Sequence, residues 1–227
     1  AASDVYKRQK YTIMSSGYQN NISIKEAIDH IDRQEYLLPS IQRKFVWSAS
    51  QIETLFDSIM RGYPINSFMF WHIQDAGIKK DFKFYKFLSA YREFFQVNNP
   101  DFDAIGCPDF FAVIDGQQRL TSLYLGLKGT YAYKMPRKWW ADNEDALPTR
   151  RLYLNLNSGV AKDSDNDLDL AYDFRFLTED EYKRNQDNDT DYWFPVRDIL
   201  CITSVNDIVR YVLKHNLKEN QGKVLST

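Results

Sequence analysis

Phe110-Phe-Ala-Val-Ile-Asp-Gly-Gln-Gln-Arg-Leu-Thr121 reads as three lengths of chain with different physics. The apolar run at residues 110–114 is too short for a buried helix and ends at a turn signal, so it predicts a buried strand. Asp115-Gly116 is that turn. From Gln117 onward, Leu120, Leu123, Tyr124 and Leu127 recur every three or four residues, which predicts a helix over 117–127 with Gly129 as a stop. A helix that starts directly after a strand and a glycine turn makes a good anion site. Its first N–H groups lack intrahelical partners and sit at the positive end of the helix dipole. Gly116 lets main chain approach a phosphate without a Cβ in the way. Arg119 can present a bidentate guanidinium, and the amides of Gln117 and Gln118 can donate or accept. The same spacing equally fits a helix capped by Asp115, with Arg119 paired to a surface carboxylate. It is not a phosphate loop of the G-x-x-x-x-G-K type.

Working outward, Ile22, Ile24, Ala27, Ile28 and Ile31 predict a helix. Pro39 pushes Leu38 toward an extended conformation, so residues 36–47 read as strand or extended loop. Ser48 or Ser50 caps the next helix, which carries Ile52, Leu55, Phe56 and Ile59 on one face and ends near Gly62. Residues 65–73 predict a strand. Residues 82–95 place aromatic and charged residues at helical spacing until Asn98-Asn-Pro100 interrupts. Strand-like runs return at 130–133, 151–156 and 170–177. Thr178-Glu-Asp-Glu181 resembles a capped helix start, 193–198 is extended, and 205–213 is helical. Strands and helices mix without a regular βαβ repeat, which makes the fold class α+β.

Hydrophobic residues at 44% and aromatics at 15% describe a folded globular chain. The 29 Lys and Arg nearly balance 31 Asp and Glu, for a net charge of −2, which excludes a surface given over wholly to nucleic acid. Cys107 and Cys201 show neither metal-ligand spacing nor a disulfide framework, as expected of a cytoplasmic protein. No apolar run is long enough to span a bilayer and no signal peptide opens the chain, so no membrane partner is expected. Residues 1–18 are expected to be a non-native or disordered leader, the first nine resembling translated adapter DNA. Residues 19–218 read as one domain. The 219–227 tail lacks a helix stop and reads as the start of a further C-terminal region.

Other candidates have plainer readings. Asp163-Ser-Asp-Asn-Asp-Leu-Asp169 has Leu168 where a calcium loop needs glycine, and reads as a solvated acidic loop. Trp139-Trp140 beside Arg137 and Lys138 is expected to pack under a loop, with base stacking as the alternative. Tyr192-Trp-Phe194 reads as core or an interdomain contact and His72 as structural. Trp47 is either buried or a wall of the site.

A second segment makes the pattern specific. Pro39-Ser-Ile-Gln-Arg-Lys-Phe-Val-Trp47, the helix after it, Gly62-Tyr-Pro-Ile65 and then Ile114-Asp-Gly-Gln-Gln-Arg-Leu-Thr121 occur in one order. Together, across residues 22–213, they resemble the GmrSD-type restriction endonuclease N-terminal domain family, the bacterial "DGQQR" domain. The resemblance implies a ParB/sulfiredoxin-like fold, a small mixed sheet with surrounding helices. In that fold the turn after a strand and the helix start with its Arg bind nucleotide phosphate. Carried over, Asp115, Gly116, Gln117, Gln118 and Arg119 form the nucleotide-binding motif, and Gln42 and Arg43 face the same pocket. Asp115 and Arg119 would be catalytic, with Asp115 the metal ligand for a nucleoside triphosphate with Mg2+. The implied function is an NTP-binding and NTP-hydrolysing regulatory domain of a modification-dependent, anti-phage restriction protein. Modified phage DNA would be met through the full-length protein, and the nuclease would lie in a C-terminal domain or subunit. His30, His72 and His215 lack the context of an H-N-H site. Ser40-Ile41 stands where the family often has a larger residue, which bears on base stacking and not on phosphate. Two rivals stay open: a non-hydrolysing module that senses nucleotide or modified DNA, and a ParB-like DNA nickase.

Overall fold

A computed structural model describes residues 21–41, 44–158, 170–186 and 191–227. Gln42 and Arg43, the acidic stretch at 163–169 and the 1–18 leader lie outside those residues. The chain runs α1 (Ile24–Asp32), β1 (Tyr36–Pro39), α2 (Ala49–Met60), β2 (Met69–Ile73), α3 (Ala76–Asp81), β3 (Phe84–Tyr85) and β4 (Ala90–Arg92). It continues β5 (Asp101–Phe102), β6 (Phe110–Asp115), α4 (Gln117–Leu127), β7 (Thr130–Ala132), β8 (Arg151–Asn155) and β9 (Phe174–Leu177). It closes with α5 (Glu179–Gln186), β10 (Trp193–Pro195), a 3-10 helix (Val196–Cys201), α6 (Val205–Lys214) and α7 (Glu219–Ser226).

The fold is α+β. A five-stranded mixed sheet has the order β2-β6-β1-β3-β5, a three-stranded sheet the order β10-β8-β9, and β4 pairs with β7. In the larger sheet β1 and β6 run parallel, with Tyr36 beside Phe111, while β2 and β6 are antiparallel. Against β6 the register slips between Met69, opposite Asp115, and Phe70, opposite Val113. Ile114 is therefore the extra residue of a bulge placed directly before the turn.

Helix α4 is the hub. Leu120, Thr121, Ser122, Leu123, Leu125, Gly126 and Leu127 are all buried, so solvent is excluded from most of its circumference. Gly126 is needed there, since a Cβ would lie 2.5 Å from the ring of Phe56. Around α4 a single core gathers Ile28, Ile52, Leu88, Val113, Leu152 and Phe194. Each such side chain contributes roughly 1.5–3 kcal/mol on burial. A smaller cluster of Leu37, Ile73, Phe84, Phe110 and Ala112 lies on the five-stranded sheet.

Local signals placed most elements correctly. Ser48, rather than Ser50, caps α2 through a capping box with Gln51. Thr178 and Glu181 form the same reciprocal pair at the start of α5. Trp193 and Phe194 are core, as expected.

Several expectations need correction. Residues 82–95 are not helical: the chain forms β3, a crossing and β4, while a short helix, α3, precedes them. The aromatic residues there go to separate places, Phe84 to the sheet cluster and Phe87, Leu88 and Tyr91 to the main core. A single helical face could not serve both. The strand expected over 65–73 begins only at Met69, because the carbonyls of Ile65 and Ser67 are taken by Arg119. The strand expected over 170–177 begins at Phe174, because the N–H groups of Ala171 and Tyr172 donate to buried Asp57. Extended structure after Trp193 gives way to a 3-10 helix at Val196. Residues 219–226 form α7, whose Val224 and Leu225 are buried in the main core. Trp139 and Trp140 do not pack under a loop; they are 92% and 48% exposed.

Candidate functional site at the Asp115–Arg119 turn

Strand β6 delivers Asp115 to the surface, where its side chain is 69% exposed. Gly116 follows with φ 86° and ψ 8°, in the left-handed region, and serves as the N-cap of α4. A residue with a side chain would be strained there. It would also collide, since a Cβ on Gly116 would sit 2.3 Å from Cδ1 of Phe68. No side chain caps α4, so Asp115 does not take the capping role that spacing alone allowed. Among the described residues, no side chain accepts from the first-turn N–H groups.

The three polar residues after Gly116 each hold main chain. The Gln117 amide donates to the carbonyl of Val113, 2.7 Å away, folding back on β6. The Gln118 amide makes a pair of bonds to one loop: it donates to the carbonyl of Lys44 at 3.2 Å, and its oxygen accepts from the N–H of Val46 at 3.1 Å. The Arg119 guanidinium donates to the carbonyls of Ile65 and Ser67, the latter at 3.1 Å, and lies 3.4 Å from the Asp115 carboxylate. Its Cζ also stands 5.0 Å from the centre of the Phe68 ring. The motif is thus a clasp. Its side chains fasten the 44–46 loop on one side and the 65–68 loop on the other, around the uncapped start of α4.

Gln118 thus holds Lys44 and Val46, while Gln42 and Arg43 lie outside the described residues. Asp109, at the far end of β6, pairs with Lys79 at 2.8 Å and takes no part. His72 is exposed on β2 and stacks on Phe111 at 4.5 Å. Trp47 is half-buried, and its carbonyl accepts from the Tyr131 hydroxyl at 2.9 Å, beside the loop that Gln118 holds.

Sequence reasoning missed Phe68, whose ring closes over Gly116 and Arg119, and the main-chain carbonyls that Arg119 holds. The Gly62-Tyr-Pro-Ile65 run pointed to that loop without indicating what it does. A separate cleft of about 520 Å3, lined by Arg150, Arg151, Tyr153, Glu179, Glu181 and Arg184 among others, includes no residue of the motif. Among the described residues, no group of three or more His, Cys, Asp or Glu side chains could hold a metal ion. Among them, too, no helix is long and apolar enough to cross a membrane.

Comparison with known proteins agrees with the family that the sequence resembles. The chain is 30% identical over 160 residues to Uncharacterized protein MJ0686 of Methanocaldococcus jannaschii, a match covering 69% of this chain and 24% of that protein. The chain thus aligns with about a quarter of that relative's length. Residues 24–223 match the model of the GmrSD restriction endonuclease N-terminal domain. With the match running from α1 into α7, the chain belongs to the GmrSD restriction endonuclease N-terminal domain family.

Proposed function

We propose that the Asp115–Arg119 turn is the nucleotide site of a regulatory NTPase domain in a modification-dependent restriction protein. The observation that carries this reading is the uncapped start of α4 beside left-handed Gly116, with an exposed carboxylate and a guanidinium within 3.4 Å of each other. Main-chain N–H groups at Gln117 to Arg119 would receive phosphate oxygens. The Arg119 N–H groups not given to Ile65, Ser67 and Asp115 would add charge, joined by Arg43 and Gln42 of the upstream motif. Gln117 and Gln118 would then serve by holding the frame.

One carboxylate suits Mg2+ brought in with a triphosphate, because that ion takes few protein ligands and keeps water and phosphate oxygens. Such an ion would offset charge on the phosphates. Asp115 would hold it or orient the attacking water, so positioning and charge stabilisation would do most of the catalysis. A cytoplasmic setting, modified phage DNA met through the full-length protein, and a partner nuclease domain all belong to this reading.

Calorimetric titration with each of the four Mg2+-nucleoside triphosphates, beside a phosphate-release assay, tests it. Binding and turnover are expected in the wild type. Asp115→Asn should keep the fold and most of the affinity and lose turnover. Binding without turnover would favour the non-hydrolysing sensor, and absence of binding to every triphosphate would remove the proposal. Metal-dependent nicking of plasmid DNA that disappears in Asp115→Asn would instead favour the nickase.

A further inference from the structure

Four large aromatic side chains on two segments away from the Asp115 turn are exposed, and three of them are in ring contact. Phe94 is 72% exposed, Phe95 40%, Trp139 92% and Trp140 48%. The Phe94 ring lies 5.3 Å from Phe95, edge to face, and 5.5 Å from Trp140, tilted, so the turn after β4 and the 133–146 loop build one platform. Single exposed apolar residues need no explanation, but a contiguous group does.

The backbone beneath is strained in a telling way. Phe94 has φ 72° and Arg137 φ 65°. Both are bulky residues in the region that glycine enters freely. Phe94 sits in a tight turn closed by hydrogen bonds between Arg92 and Gln96 at 2.8 and 3.1 Å, where glycine would relieve the strain. Keeping a phenylalanine there throws its ring into solvent. Strain kept for a ring that packs on exposed aromatics and not in a core points to a role.

Charge decides between partners. Arg92 is bound to Asp142 and Glu144 at 2.7 and 3.0 Å, and Lys138 to Asp145 at 2.8 Å. The Glu93 carboxylate accepts from the main-chain N–H of Lys134 at 2.9 Å. The Lys134 ammonium donates to two carbonyls and stands 5.6 Å from the centre of the Trp140 ring. Among the described residues, neither Lys134 nor Arg137 is ion-paired through its side chain. The carboxylates of Glu93, Asp142, Glu144 and Asp145 are thus engaged, while the Lys134 ammonium stands beside the Trp140 ring with no carboxylate partner among the described residues. Planar, electron-rich faces bordered by a few cations suit nucleobases that carry phosphate between them.

We propose that Trp139, Trp140 and Phe94 form a stacking site for unpaired bases of single-stranded nucleic acid, with Arg137 and Lys134 contacting the adjoining phosphates. This does not rest on the nucleotide reading of the Asp115 turn. Because so few cations are available, stacking carries the affinity, and the salt dependence should correspond to about one or two phosphates.

The test is fluorescence anisotropy of fluorescein-labelled oligothymidine, single-stranded and annealed to its complement, with the 227-residue chain. Trp139→Ala removes a side chain with almost no contacts and should fold normally. Phe94→Gly relieves the turn while removing its ring, and guards against loss of fold as an explanation. Wild type should prefer the single strand, and each variant should weaken binding about 5- to 100-fold, as the removal of one stacked base predicts. Absence of binding by wild type overturns the proposal. So does binding insensitive to both variants, or a salt slope equivalent to four or more phosphates. Concentration-dependent self-association lost in Trp139→Ala, without oligonucleotide binding, would assign the surface to a protein partner and equally overturn it.

Discussion

Replacing Gly116 by alanine tests the geometry of the turn through stability alone. A Cβ at this position would meet Cδ1, Cε1 and Cγ of Phe68 at 2.3, 2.9 and 3.3 Å, against 3.4 Å or more for ordinary contact, so the ring must retreat by about 1 Å. Three effects then add. The left-handed φ of 86° costs an L-residue about 1–2 kcal/mol. Displacing a packed ring costs about 1–3 kcal/mol, toward the lower end here because Phe68 is only half-buried. Moving the ring from its 5.0 Å contact with the Arg119 guanidinium forfeits about 0.5–1 kcal/mol. The expected total is about 2.5–5 kcal/mol. Urea unfolding followed by both tryptophan fluorescence and circular dichroism measures it, and coincident transitions license a two-state treatment. A double-mutant cycle with Phe68→Ala separates the parts. In that background Gly116→Ala should retain only its backbone cost of about 1–2 kcal/mol. A single-variant cost below 1 kcal/mol, or the same cost in both backgrounds, would refute the reasoning.

Three further outcomes follow from other contacts. Gln118→Leu should leave global stability within about 1–2 kcal/mol, since water can replace its exposed bonds, yet remove hydrogen-exchange protection at Val46; retained protection would show that the loop does not depend on the bracket. Asp57→Ala should cost about 3 kcal/mol in urea unfolding, because a residue 1% exposed accepts from both Ala171 and Tyr172 and faces Arg61 at 3.6 Å; a cost under 1 kcal/mol would mean the 170–173 segment is held elsewhere. Glu35 is lowered to about 2, chiefly by its hydrogen bond from Arg33 and next by His30. A lowered carboxylate adds stability that is fully present above its ordinary value near 4.5 and is lost as pH falls toward 2. The Tm gap between wild type and Glu35→Gln should therefore be widest above pH 5 and close on acidification. A gap that does not change with pH would contradict the pairing.

How legible the molecule was from sequence depended on whether the partners of each residue were local. Helices α1, α2 and α4 carry their own instructions: apolar spacing, a serine cap three residues before Glu26 or Gln51, and a glycine where the turn needs one. Residues 82–95 misled because Phe84, Phe87, Leu88 and Tyr91 reproduce helical spacing while being divided between two clusters, and periodicity does not reveal destination. At the turn, position and secondary structure were readable, but the work of the polar side chains was not. An amide and a guanidinium look like ligands when the groups they bind are main-chain atoms. The carbonyls of Lys44, Ile65 and Ser67 have no side-chain identity to announce them. The exposure of Trp139 was hidden for a related reason, since the ring that joins Trp140, Phe94, comes from a turn more than forty residues earlier.

The clasp also has a history in synthesis. Its bonds span 72 and 74 residues from Gln118, and 54 and 52 from Arg119. Helix α4 can form within about a microsecond once its residues are free of the ribosome, for its bonds are local. The clasp is different. At about 5–20 residues per second, the Lys44 loop emerges roughly 4–15 s before the amide that will hold it. Through that interval the carbonyls at 44, 65 and 67 are hydrated main chain. Their capture joins loops whose closure is costlier than that of a ten-residue loop by about 2 kcal/mol in chain entropy. No nascent chain that ends before Arg119 can close the site. The order of emergence thus makes the turn after β6 a checkpoint that the two earlier loops must wait for.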